Sequence, residues 1–107
     1  MKTFTINGKK YKSAEVDFNF ICDLEDMGIS IKDMRSKPLA VARAYFALCA
    51  NADKDVAGAE IQNHMINGGS LEELYEVLGI EIENSDFFRA LNQTEEEETP
   101  TSKGKKK

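Results

Sequence analysis

Residues 39–50, with the sequence LAVARAYFALCA, are the stretch that decides the fold of this chain. At a helical spacing of about 100° per residue, the segment has one bulky side and one flat side. The bulky side carries Leu39, Val41, Tyr45, Phe46, Leu48 and Cys49. The flat side, which lets a second helix approach closely, carries Ala40, Ala44, Ala47 and Ala50. Because both sides are apolar, the segment predicts the central core helix of a small domain.

One charged residue, Arg43, interrupts this helix on its alanine side. The preceding segment, residues 17–27 (DFNFICDLEDM), predicts another helix, whose apolar arc is wider than a surface helix needs. Glu25 falls inside that arc. A carboxylate or a guanidinium that is removed from water is costly unless it is paired. We therefore predict an internal ion pair between Glu25 and Arg43.

Local signals place the helix ends on the N-terminal side of the core helix. Asp17 can cap the helix at 17–27, and Gly28 can end it. Residues 30–33 predict a short turn, and Pro38 suits the first turn of the core helix. The predicted elements before the core helix are therefore a helix and a short turn, followed by an interruption of helical structure before Pro38.

Two more helices are predicted after the core helix. The first is capped by Asp53 and runs to about Asn67. Its inward face is expected to carry Val56, Ala57, Ile61 and Met65. The second opens at a capping box from Ser70 to Glu73.

The end of that second helix is less well defined by the sequence. Gly79 is a residue that commonly ends a helix, and it is predicted to end this one. Residues 80–83, IEIE, alternate like a strand, yet Ile80, Phe87 and Leu91 share a helical spacing. Both interpretations of residues 80–83 stay open.

The N-terminal residues predict a β-hairpin. Residues 2–6 and 9–12 flank Asn7-Gly8, and Asn-Gly is the preferred pair for a type I′ turn. An isolated two-stranded hairpin is only marginally stable, so it is expected to pack on the helices.

A short final helix is predicted after a cap at Ser85-Asp86. It carries three large apolar residues, Phe87, Phe88 and Leu91. They either close the core or form, with neighbours, a groove or ridge for a partner helix. Broad apolar arcs on two helices favour self-association or capture of a partner helix.

Residues 94–107 are predicted to be a disordered charged tail, because they are polar and carry blocks of like charge. Residues 1–93 are then a single globular domain. The predicted fold class is mainly α (α+β): an N-terminal β-hairpin packed on a small bundle of about four to six helices.

The charge balance bears on the class of partner and on the compartment. The chain has 14 basic and 19 acidic residues, a net charge of −5, which disfavours binding to nucleic acid. The N-terminal residues lack the apolar core of a signal peptide, and no apolar run is long enough to span a bilayer. The expected location is the cytoplasm, with Cys22 and Cys49 as free thiols and no membrane partner.

No constellation of residues predicts catalysis. The chain has one histidine, His64, which is too few ligands for a zinc site. Asp23 and Asp26 share the polar face of their helix while Glu25 points elsewhere, so the three acids do not converge. We expect no catalytic residue, no cofactor and no metal.

Five segments together resemble a known family. They are KTFTINGKKYK (2–12), VDFNFICDLEDMGISI (16–31), KPLAVARAYFALCAN (37–51), NGGSLEELYEVL (67–78) and SDFFRALNQ (85–93). The pattern, over about residues 2–93, resembles the tail assembly chaperones of long-tailed (siphovirus-like) bacteriophages and prophages of Gram-positive bacteria. None of these segments is a catalytic signature.

The resemblance implies a function without chemistry. Such proteins bind and solubilise the tape measure protein, help recruit tail tube subunits during tail morphogenesis, and are absent from the mature virion. Two other classes stay open: a structural head–tail connector or tail terminator component, and a small prophage regulatory module that binds another protein.

Overall fold

The computed structural model describes residues 2–91. The elements with their bounds are β1 (Thr3–Ile6), β2 (Lys9–Lys12), α1 (Phe18–Asp26), α2 (Asp33–Ser36), α3 (Pro38–Ala50), α4 (Lys54–Ile66) and α5 (Glu72–Glu83). A last helix, α6, covers residues 86–91. The predicted fold class is confirmed: the chain is mainly α, with an N-terminal β-hairpin. The tail predicted at 94–107 lies outside the described residues.

The hairpin forms around the predicted turn. Asn7 and Gly8 have φ values of 55° and 83°, which is the positive-φ pair that a type I′ turn requires. Strand β1 pairs antiparallel with β2, with Phe4 opposite Tyr11. Phe4 and Ile6 are each 1% exposed, so the apolar face of the hairpin is part of the core.

Helix α3 is the central core helix that the sequence predicts. Its buried residues are Val41, Ala42, Ala44, Tyr45, Phe46 and Ala47. Tyr45 and Phe46 lie against the hairpin, where each ring is about 6.2 Å from the ring of Phe4 between centroids. The hydroxyl of Tyr45 accepts a hydrogen bond from the Ala14 N–H at 3.1 Å, and burial raises its pKa above the usual range. The helix therefore joins the hairpin to the bundle.

Two predicted helix caps form as expected. The Asp17 carboxylate accepts from the Phe20 N–H at 2.9 Å at the start of α1. The Asp53 carboxylate accepts from the N–H groups of Asp55 and Val56 at the start of α4. Both satisfy N–H groups that have no partner within the helix.

The predicted capping box at the start of α5 does not form. Ser70 Oγ accepts weakly from the Glu72 N–H at 3.4 Å, and the N-cap residue is Leu71. The Glu73 carboxylate instead accepts from the Thr5 N–H at 2.7 Å. A contact to the hairpin has therefore replaced the local one, and it ties β1 to α5.

Gly79 does not end α5, which continues to Glu83. The helical interpretation of residues 80–83 is thus the correct one. Leu78 is buried and Ile82, one turn later, packs against the core, so apolar contacts continue past the glycine. A glycine inside a helix costs only about 1 kcal/mol relative to alanine, which such packing overcomes.

His64 links three parts of the chain that are distant in sequence. Its Nδ1 accepts from the N–H of Asn7 in the hairpin turn, and its Nε2–H donates to the carbonyl of Ser70, each at 2.9 Å. The ring lies so close to Gly69 that a Cβ there would be 2.4 Å from two ring atoms. His64 therefore holds the hairpin turn, the end of α4 and the loop before α5 together.

Replacing Gly69 by alanine is expected to lower the free energy of unfolding by about 1–3 kcal/mol, because the added methyl group displaces the His64 ring from both partners. Gly79→Ala is the matched control, since a Cβ there meets nothing within 4 Å. It is expected to raise stability by about 0.5–1 kcal/mol. Urea unfolding measures both; a Gly69→Ala variant as stable as the native chain would contradict this role of His64.

Candidate functional site

An apolar groove of about 450 Å³ runs between α3 and α4. We call it the α3/α4 groove. It is lined by Leu39, Ala40, Arg43, Gly58, Ile61, Gln62, Met65, Ile66 and Leu71. The N-terminal half of α3 forms one wall, and the side chains of α4 form the other.

Large apolar side chains are exposed along this groove. Leu39 is 67% exposed, Met65 46% and Ile66 70%, whereas Ile61 and Leu71 are buried beneath them. The other exposed large apolar residues within residues 2–91 are Phe18 and Val56. Single exposed apolar residues are ordinary, but a contiguous set around a groove marks an interaction site. The α3/α4 groove is therefore the candidate functional site.

Helix α4 exposes Val56, Met65 and Ile66 because it has no single apolar face. Ala57 and Ile61 are buried against the core, while Val56 and Met65 point outward. The prediction that Val56 and Met65 face inward is therefore wrong. At helical spacing, Val56 and Met65 lie near the buried pair Ala57 and Ile61, which is why the sequence predicts that they face inward. Because α4 lies at the edge of the bundle, neighbouring elements cover only a narrow stripe of its surface.

Arg43 lines the α3/α4 groove at the end where Gly58 of α4 lies. Its side chain extends over α4, where a Cβ at Gly58 would be 3.3 Å from Arg43 Cδ. The absence of a side chain at Gly58 thus gives the Arg43 stem room to cross. The residue is half-buried, with apolar neighbours from both helices.

The predicted ion pair between Glu25 and Arg43 is not found. Within residues 2–91 the ion pairs shorter than 4 Å are Lys37–Asp33 and Arg89–Asp86. Glu25 is exposed on α1, so water solvates its carboxylate. The wide apolar arc of α1 is only partly covered, since Phe18 is 61% exposed. Burial of Glu25 was therefore overestimated from the helical pattern.

The three apolar residues of α6 have different environments. Phe88 is buried, and its N–H donates to Ser85 Oγ at 3.2 Å. Phe87 is half-buried and its ring meets that of Phe18 edge-on, with centroids 5.6 Å apart. Leu91 is half-buried. Phe88 thus belongs to the core, whereas Phe87 and Phe18 form a partly exposed aromatic pair.

The rim of the α3/α4 groove next to α5 is acidic. Tyr75 donates its hydroxyl hydrogen to the Pro38 carbonyl at 2.8 Å, which brings this face of α5 beside the start of α3. Glu72 directly follows Leu71, which lines the groove, and it lies one helical turn from both Tyr75 and Glu76; both glutamates are exposed. Helix α5 carries five glutamates and no basic residue. The groove lining is thus apolar except for one cation and one amide, and two exposed glutamates lie along this edge.

A second groove, of about 530 Å³, lies between α2 and α5, and we call it the α2/α5 groove. It is lined by Ile31, Lys32, Met34, Arg35, Leu78, Ile82 and Phe88. Its apolar side chains are buried or half-buried, and its exposed residues are the two cations. Its surface is therefore more polar than that of the α3/α4 groove.

Metal-ligating side chains and thiols are the reactive groups that the described residues could offer. No group of three or more His, Cys, Asp or Glu residues that could hold a metal ion occurs in the part of the chain that the structure describes. Cys22 and Cys49 are free thiols. Burial raises the pKa of Cys49 to about 11, so this thiol is protonated at neutral pH and is a poor nucleophile.

The helices within residues 2–91 include none with the length and apolar character needed to cross a membrane. Comparisons of the chain with protein-family models, with curated proteins and with solved structures found no match.

Proposed function

We propose that this chain is a tail assembly chaperone of long-tailed bacteriophages. It binds the tape measure protein in the bacterial cytoplasm, keeps it soluble, helps recruit tail tube subunits, and is absent from the finished virion. The observation that carries the proposal is the α3/α4 groove, with Leu39, Met65 and Ile66 exposed along it. Its proposed occupant is the apolar stripe of a client helix.

The shape of the site suits a helix. An amphipathic helix places apolar side chains at i, i+3 or i+4, and i+7 along one face, and such a face is recognised by an apolar groove. Covering each exposed apolar residue of the groove is expected to contribute roughly 1–2 kcal/mol of favourable binding free energy. Part of this gain is lost to the ordering of both partners. The expected binding is reversible, as a chaperone displaced by tube subunits requires.

The charge of the domain supports the same client. The exposed carboxylates of Glu72 and Glu76 beside the groove favour a helix with basic residues flanking its apolar stripe. The net charge of −5 also keeps a complex with an apolar client soluble.

Co-expression tests the proposed function. The tape measure protein is expected to be largely insoluble when it is produced alone and soluble when it is produced with this chain. Purified virions are expected to lack this chain, as measured by mass spectrometry. A tape measure protein whose solubility is unchanged would contradict the proposal, and this chain at stoichiometric amounts in virions would favour a structural connector or terminator.

A further inference from the structure

Arg43 gives the α3/α4 groove a chemical preference as well as a shape. Its guanidinium carries a positive charge and five N–H donors in a planar fork. Within residues 2–91, no hydrogen bond or ion pair to its side chain is found. Arg43 thus presents a cation within an otherwise largely apolar groove.

The residues around Arg43 do not neutralise it. Leu39 and Ala40, one turn earlier on α3, and Gly58 and Ile61 on α4 have no side-chain acceptor. Gln62 has an amide oxygen but no charge, and it is exposed. In the open groove, water can solvate the guanidinium.

A helix that covers the groove removes that water. An arginine that loses its hydration without a partner is strongly unfavourable, whereas a carboxylate can accept two parallel hydrogen bonds from it. The groove therefore discriminates between client helices by the residue placed opposite Arg43. Resting on the proposed function, we infer that the client helix carries an aspartate or glutamate within its apolar stripe, and that this carboxylate pairs with Arg43.

The preference of Arg43 for a carboxylate differs in kind from the attraction of the acidic rim for basic residues. The rim at Glu72 and Glu76 acts over a distance, is screened by salt and favours basic flanks of the client. Arg43 acts by contact inside the covered interface, where screening is weaker. A client helix that satisfies both Arg43 and the acidic rim has an apolar stripe that contains one acidic residue. That residue is a single helical turn from the neighbouring apolar side chains of the stripe, and basic residues lie beside the stripe.

Three model peptides test the inference. Each is a 20-residue amphipathic helix with basic flanks and a leucine stripe, and they differ at one central stripe position, which is Glu, Gln or Lys. Fluorescence anisotropy of labelled peptides measures Kd for the full native chain. The Glu peptide is expected to bind about tenfold more tightly than the Gln peptide, and the Lys peptide is expected to bind least tightly.

Two variants assign the preference to Arg43. Arg43→Met keeps an unbranched apolar stem, and it is expected to bind the Glu and Gln peptides equally or to favour Gln. Arg43→Glu is expected to reverse the order, so that the Lys peptide binds best. Thermal unfolding of each variant checks that the fold is retained, and the two variants differ enough in chemistry that one serves if the other unfolds.

The outcomes separate this inference from the proposed function. Equal binding of all three peptides by the native chain, or a Glu preference that survives in Arg43→Met, would overturn the role of Arg43 and leave the groove as a helix site. No binding of any peptide would overturn both.

Discussion

A double variant, Leu39→Asp with Ile66→Asp, is expected to lose client binding by about 100-fold or more, because two carboxylates would be buried in an apolar interface. The same variant is expected to unfold close to the native temperature. Both side chains are about two-thirds exposed in the free chain, so little packing is lost. Surface substitutions of this kind usually change stability by no more than about 0.5 kcal/mol each.

A matched control for this variant is Val56→Asp. Val56 is also on α4 and is 52% exposed, but it does not line the α3/α4 groove. Its replacement is expected to leave affinity within about twofold, since a solvated surface charge adds little. Titration calorimetry with a soluble helical segment of the tape measure protein compares the three chains. Equal loss of binding in the control, or undiminished binding in the double variant, would place the client elsewhere.

Phe4→Ala is expected to lower the free energy of unfolding by about 3–5 kcal/mol, a large share of the stability of a small domain. Phe4 is 1% exposed and lies against the rings of Tyr11, Tyr45 and Phe46. Its removal leaves a cavity where the hairpin meets α3. Chemical unfolding followed by circular dichroism measures the change.

The control on the same strand is Thr3→Ala, whose side chain is on the exposed face of the hairpin. It is expected to change stability by no more than about 0.5 kcal/mol. If Phe4→Ala cost under about 1 kcal/mol, the hairpin would not be part of the core. The pair of variants therefore separates loss of core packing from loss of strand propensity.

Sequence reasoning succeeded where the cause of a structure is local. The turn at Asn7-Gly8 depends on the φ values of two residues, and the caps at Asp17 and Asp53 depend on hydrogen bonds within three residues. Helix α3 was predictable because a helix that is apolar on both sides has to be central.

The predictions that failed depend on contacts between distant residues. The Glu73 carboxylate accepts a hydrogen bond from the Thr5 N–H, 68 residues away, instead of capping the start of its own helix. Helix α5 continues past Gly79 because Ile82 packs against the core. Periodicity describes one helix at a time, so it cannot tell which part of an apolar arc a neighbouring helix covers.

The same limit explains why the groove was not predicted. The spacing of Leu39 and Met65 favours core positions for both, and no pattern in the sequence distinguishes Ile66 as exposed. The informative signal was that α4 has apolar residues on more than one face, yet is flanked by polar loops. Such a helix in a small domain lies at an edge and leaves apolar residues uncovered.

Methyl NMR of Met27, Met34 and Met65 tests the central claim most directly, because these three methionines lie in different parts of the domain. Met65 lines the α3/α4 groove, Met34 lines the α2/α5 groove, and Met27 packs against the core. On addition of a soluble helical segment of the tape measure protein, the ε-methyl resonance of Met65 is expected to shift or broaden, while those of Met34 and Met27 stay in place. A shift at Met34 with Met65 unchanged would contradict the account.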